Sequence, residues 1–173
     1  MKKIASALLI ALISFSFFSF ANSADEIINN NETELNFFTG MFDFSDHKQA
    51  SAVLGVQHVN EELFLNTGKK GRMSPITGAF ITANNAFYLY TGVQAEYKIG
   101  SFIINPSIAP GYYGQGYVKD LGYPLEFKTE VQLSFDFNDN TNLGMSYNHI
   151  SYASIGSKNP GANSYMFNFL KQF

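Results

Sequence analysis

From Leu125 to Phe137 the chain keeps an almost unbroken period of two. Leu125, Phe127, Thr129, Val131, Leu133, Phe135 and Phe137 alternate with Glu126, Lys128, Glu130, Gln132, Ser134 and Asp136. Successive side chains of a β-strand point to opposite faces, so this run is a strand with one apolar face and one ionisable or polar face. The same alternation recurs in 86–98, where Phe87, Leu89, Val93, Ala95 and Tyr97 oppose Tyr88, Tyr90, Gln94 and Glu96. It recurs again at 163–173, where Tyr165, Phe167 and Phe169 oppose Ser164, Asn168 and Gln172. No segment carries a 3.6-residue stripe, and turn-forming Gly, Asn, Thr and Ser are plentiful. Strands are predicted over 34–45, 49–66, 72–83, 86–98, 101–114, 122–137, 142–153 and 163–173.

Alternation alone also suits a soluble β-sandwich. Three features select a membrane barrel instead: strands of about ten residues, enough to cross a bilayer when tilted; an even strand count; and aromatic residues at strand ends, suited to interfacial girdles. A terminal Phe173 is what an outer-membrane assembly signal leads one to expect. The expected fold is therefore all-β, an eight-stranded antiparallel transmembrane outer-membrane β-barrel over 34–173, with its narrow bore filled by side chains. Glu126, Lys128 and Glu130 are expected to form an interior ion-pair network.

The beginning of the chain fits export. Lys2 and Lys3 precede an apolar run from Ile4 to Phe20, and small residues follow at Ala21, Ser23 and Ala24. This is the layout of a signal peptide over 1–23, cleaved after Ser23 or Ala24, with a polar lead-in over 24–33. The formal charge of −3 becomes −5 once Lys2 and Lys3 are removed, so nothing suggests a nucleic-acid partner. The absence of cysteine excludes disulfides, thiol chemistry and a lipoprotein anchor. His47, His58 and His149 are scattered and suggest no metal site, and no cofactor is implied. Asn159-Pro160-Gly161 suits a simple turn.

With both termini on the periplasmic side, strand 142–153 rises to the cell surface and loop 154–162 is extracellular. Parity then puts His149 and Ser151 on the apolar face with Leu143, Met145 and Tyr147, and Asn163 joins Tyr165 and Phe167. Three polar groups from adjacent strands thus converge on lipid at the depth of the outer-leaflet headgroups, where unused polarity is costly. A substrate there is lipopolysaccharide or phospholipid. An imidazole two residues from a hydroxyl can act as its general base, provided a third group orients the ring.

The run His149-Ile150-Ser151, with Ala153, Gly156, Lys158 and Asn159-Pro160-Gly161, resembles the HxSNA…NPGxE region of the PagL-type lipid A 3-O-deacylases. Upstream, Pro75 to Gly78, Tyr90 to Gly92, Pro106 to Tyr113 and Asp120 to Phe127 resemble further blocks of that family, in the same order. The resemblance implies an outer-membrane barrel that removes an ester-linked acyl chain from lipid A with a serine–histidine–acid triad. It makes Ser151 the nucleophile and His149 the base. The family's acid falls on Asn163, its oxyanion-hole Asn on Tyr152, and a Gly whose backbone assists falls on Ser154. An amide at 163 can accept a hydrogen bond from the imidazole but brings no charge. Parity turns Tyr152 inward, away from any oxyanion. The implied protein is a serine esterase acting on lipopolysaccharide in the outer leaflet, slow or divergent. A catalytically silent structural or lipid-binding barrel of the same family is the alternative. Acyl position, chain length, phospholipid against lipid A, and monomer against homodimer stay open.

Overall fold

The computed structural model describes residues 33–46, 48–60, 65–66, 72–152 and 160–173. The leader and nearly all of the lead-in lie outside the described residues, as do His47 and Ser154. Among the described residues nine strands follow one another: β1 (Glu34–Phe42), β2 (Ser51–Val59), β3 (Leu65–Asn66), β4 (Arg72–Thr82), β5 (Phe87–Ile99), β6 (Phe102–Gly114), β7 (Leu125–Asn138), β8 (Thr141–Ser151) and β9 (Ala162–Gln172). Every pairing is antiparallel; apart from β2 with β4 and the closing pair β1 with β9, each joins chain neighbours. The short β3 pairs with the start of β4, whose remainder pairs with β2, so β2 and β3 make one stave. The result is a closed barrel of eight staves.

Where the predicted strand limits differ, local backbone explains it. β1 stops at Phe42 because Asp43 takes a left-handed conformation, φ 48°. β7 starts at Leu125, after Gly122 at φ 95° and Pro124 have held the chain in a loop. The predicted strand 49–66 is broken, and its pairing slips from Val59 opposite Ile76 to Leu65 opposite Met73.

The barrel is inside-out compared with a water-soluble sheet. Along β7, Val131 (54 % exposed), Leu133 (48 %) and Phe135 (44 %) face outward, whereas Glu126, Lys128, Glu130, Gln132 and Ser134 are buried. Such a surface is stable against hydrocarbon, where closure leaves no unpaired strand edge. Inside, Asn36 Nδ2 donates to Gln132 Oε1 (3.0 Å) and Asn168 Oδ1 (3.1 Å). Ser146 and Asn148 both donate to Glu130 Oε2, and Lys128 Nζ pairs with Glu130 Oε1 at 3.1 Å. The expected three-member ion network is therefore a pair. Glu126 is fully buried one step of the alternation higher, and its carboxyl oxygens take no part in the Lys128 contact. Above this polar layer Phe42, Phe80, Tyr88 and Tyr113 pack ring against ring. Leu121 and Val118, from the loop after β6, are buried with them.

The two ends differ. At one, Thr33 and Phe173 exchange backbone hydrogen bonds, and the connections 100–101 and 139–140 are tight. At the other lie the connections 43–50, 83–86, 115–124 and 152–161, three of them longer. The functional candidates sit at this second end.

Candidate functional site

Strand register brings the candidates together. His149 and Asn163 are direct partners across β8 and β9, and Ser151 closes β8 two residues further on, opposite Phe127 of β7. The imidazole Nδ1 lies 2.8 Å from Asn163 Oδ1, the orienting contact that the sequence suggested. Tyr147, two residues before His149 on the same outward face, donates its hydroxyl to the same Oδ1 at 2.8 Å. His149 and Ser151 are each half-buried. Among the described residues no hydrogen bond joins them.

Asn163 is held from the other side by the chain just beyond β1. Its Nδ2 donates to Ser45 Oγ at 3.4 Å, and its backbone N–H to Asp43 Oδ1 at 3.3 Å. Ser45 Oγ in turn donates to Asp43 Oδ1 at 3.2 Å. Asp43 is fully buried, with Lys119 Nζ 3.0 Å from its Oδ2. The Asp43 N–H donates to Ser164 Oγ and the Phe44 N–H to Asn163 O, which ties this segment to the start of β9. Phe44 packs on Tyr147 and Tyr165, an aromatic border to the polar cluster.

At two positions the structure adds what the sequence did not supply. Gly161 (φ 55°), expected only to reverse the chain, also lies against the imidazole. A Cβ there would stand 2.6 Å from His149 Cε1. Tyr152, predicted to point into the bore, instead stacks on Tyr123 with ring centroids 4.2 Å apart. Tyr123 is 47 % exposed, so this pair lies at the rim. β8 has ended at Ser151, and strand parity no longer governs the next residue. Ser154 falls outside the described residues. Tyr147 was within reach of a parity argument, being on the His149 face. Asp43 and Ser45 were not, since they stand 120 and 118 positions from Asn163 in the chain. Among the described residues no group of three or more His, Cys, Asp or Glu side chains is arranged to hold a metal ion.

The family profile described as "Lipid A 3-O-deacylase (PagL)" matches residues 39–171. The chain belongs to the PagL family. The resemblance seen in the motifs is thus a family relation, and it spans every stave of the barrel. Among solved structures, that of the outer membrane enzyme PagL matches with a TM-score of 0.61 at 17 % identity, covering 80 % of this chain and 98 % of the other. A designed transmembrane β-barrel matches with a TM-score of 0.53 at 10 % identity, covering 83 % of this chain and 96 % of its own. Neisserial surface protein A gives 0.51 at 9 % identity, over 82 % of this chain and 96 % of its own. At these identities the likenesses concern the fold, which is that of PagL and of an outer-membrane barrel. None of the curated proteins matches the chain in sequence.

Proposed function

We propose that this PagL-family barrel is a serine esterase that hydrolyses an ester-linked acyl chain of lipopolysaccharide at the outer leaflet, after export and removal of the leader. The observation that carries the reading is the 2.8 Å contact of His149 Nδ1 with Asn163 Oδ1, on the outward rim beside Ser151. An acceptor at Nδ1 fixes the tautomer with Nε2 bare, which is the nitrogen a neighbouring hydroxyl needs. His149 Nε2 takes the Ser151 proton as Oγ attacks the ester carbonyl. The tetrahedral intermediate collapses, and the imidazolium returns the proton to the departing sugar oxygen. Water, deprotonated by the same imidazole, then frees the fatty acid from Ser151. The family relation suggests the 3-position of lipid A as the ester cleaved.

The amide at 163 orients the ring without countering the charge of the imidazolium, so the rate is expected to fall below that of a carboxylate triad. A missing side-chain donor to the oxyanion costs a further factor of about 10² to 10³. Tyr152 stacked on Tyr123 offers a flat apolar wall for an acyl chain and takes a substrate-binding part rather than that donor's. Ser154 keeps the backbone N–H role which the family resemblance gives it. The alternative that these departures leave is a barrel of this family that binds lipid without cleaving it.

Mass spectrometry of lipid A from outer membranes carrying the protein, beside an equally inserted Ser151→Ala variant, decides between them. Loss of one hydroxyacyl chain with the intact Ser151 only is the expected result. Identical lipid A in both removes the deacylase reading.

A further inference from the structure

The hydrogen-bond chain behind His149 has a direction that only one of its members can set. The Ser45 hydroxyl and the Tyr147 hydroxyl each donate or accept, the Asn163 amide does both, and neutral imidazole does both. All of them would be equally satisfied with every bond reversed. The Asp43 carboxylate is different, because an ionised carboxylate only accepts. It is fully buried, and its ion pair with Lys119, Nζ 3.0 Å from Oδ2, leaves Oδ1 turned toward Ser45.

From this we infer that Asp43 is the positioning residue of the site, the group that fixes the Asn163 amide with its oxygen toward His149 and so selects the Nδ1–H tautomer. The sequence of bonds runs one way. Asp43 Oδ1 accepts the hydrogen bond of the Ser45 hydroxyl at 3.2 Å, which leaves Ser45 Oγ a lone pair for Asn163 Nδ2 at 3.4 Å. With its nitrogen committed there, Asn163 presents Oδ1 to His149 Nδ1 and to the Tyr147 hydroxyl, each at 2.8 Å. A carboxylate at 163 would accept from imidazole whatever lay behind it. An amide needs an outside reference, and Asp43 supplies it through Ser45. The buried negative charge also polarises the chain in the same sense, strengthening Asn163 Oδ1 as an acceptor.

An amide at position 43 removes the reference. Its Oδ1 turns to the Lys119 ammonium and its Nδ2 to Ser45, at the loss of the bond that Asp43 Oδ1 accepts from the Asn163 N–H; the Ser45 proton then turns toward Asn163, whose amide rotates to offer Nδ2 to the imidazole. Nδ1 becomes the acceptor, the ring proton moves to Nε2, and no base faces Ser151. The inference rests on His149 serving as base to Ser151, yet the tautomer itself is readable without any turnover.

The test is 15N NMR of ring-labelled histidine in the full barrel in detergent micelles, at a pH where the ring is neutral, with the His149 signals assigned by their loss in His149→Phe. The native protein should show the Nδ1–H tautomer, Asp43→Asn should populate Nε2–H, and Asp43→Asn combined with Asn163→Asp should restore Nδ1–H. The heat-dependent gel shift of a closed barrel confirms that each variant is folded. Alongside, kcat for acyl release should fall in Asp43→Asn with KM unchanged, by up to the ~10⁴-fold of a wrong tautomer, and recover in the double variant. Asp43→Asn retaining the native tautomer overturns the inference. So does a shift that Asn163→Asp fails to reverse, since that marks a merely structural role in the loop. Unchanged lipid A together with the expected tautomers removes the esterase reading and leaves the role of Asp43 standing.

Discussion

Gly161→Ala separates backbone strain from imidazole placement. Gly161 has φ 55°, a conformation which a residue with a Cβ adopts at a cost of about 1–2 kcal/mol. The added methyl would also stand 2.6 Å from His149 Cε1 and 3.1 Å from Nε2. Carbon atoms rest at about 3.5 Å or more, so ring or loop must yield by roughly 0.9 Å. A displacement near 1 Å at a reacting group costs on the order of a hundredfold in rate. Gly100 provides the control, because it has φ 62° and a methyl added there would meet nothing within 4 Å, at the opposite end of the barrel. Gly100→Ala carries the backbone cost alone. Urea unfolding in liposomes should show Gly100→Ala destabilised by about 1–2 kcal/mol and Gly161→Ala by at least as much, since its methyl adds an overlap. Acyl release from lipopolysaccharide should fall about a hundredfold in Gly161→Ala and stay at the native rate in Gly100→Ala. Native kcat in Gly161→Ala, with only the stability loss of the control, would refute the claim that Gly161 positions the imidazole.

Two further substitutions probe the barrel itself. Lys128→Ala leaves Glu130 buried without its cation and also removes the contact of Lys128 Nζ over the Tyr90 ring, 4.1 Å from its centroid. Unfolding in urea should register a loss of about 3–5 kcal/mol, and a loss under about 1 kcal/mol would show that the interior pair is dispensable. Leu133→Arg places a charge on the outward face between Ile104 and Met145. In a bilayer it should cost about 2–4 kcal/mol, whereas the same exchange on a wetted surface stays within about 0.5 kcal/mol, so the size of the loss reports whether lipid covers that face.

A barrel's exterior and interior differ so sharply in polarity that much of this fold is legible in the sequence. Alternation at Leu125–Phe137 fixes which side of β7 meets lipid, and a one-residue slip would bury Phe135 and expose Lys128. The same parity is enough to put His149, Ser151 and Asn163 on one outward face. It failed where strands end: at Tyr152, beyond the last residue of β8, and at Asp43, whose left-handed backbone closes β1. Glu126, Lys128 and Glu130 share a face by parity, but whether three charges form a network depends on side-chain reach, and only two of them meet. The supports of Asn163 were hidden for a different reason. Asp43 and Ser45 meet it only because the barrel closes β1 onto β9, a pairing between the two ends of the chain.

The claim that Ser151 is an activated nucleophile is tested most directly by treating the folded barrel in lipopolysaccharide-containing vesicles with a lipid-soluble fluorophosphonate and mapping the adduct by peptide mass spectrometry. The account predicts a covalent adduct on Ser151 that forms in the native protein, is absent from Ser151→Ala, and is slowed at least a hundredfold or so in His149→Gln, where general-base assistance is gone. A native barrel that stays unlabelled at Ser151, or labels equally fast without the imidazole, would contradict it.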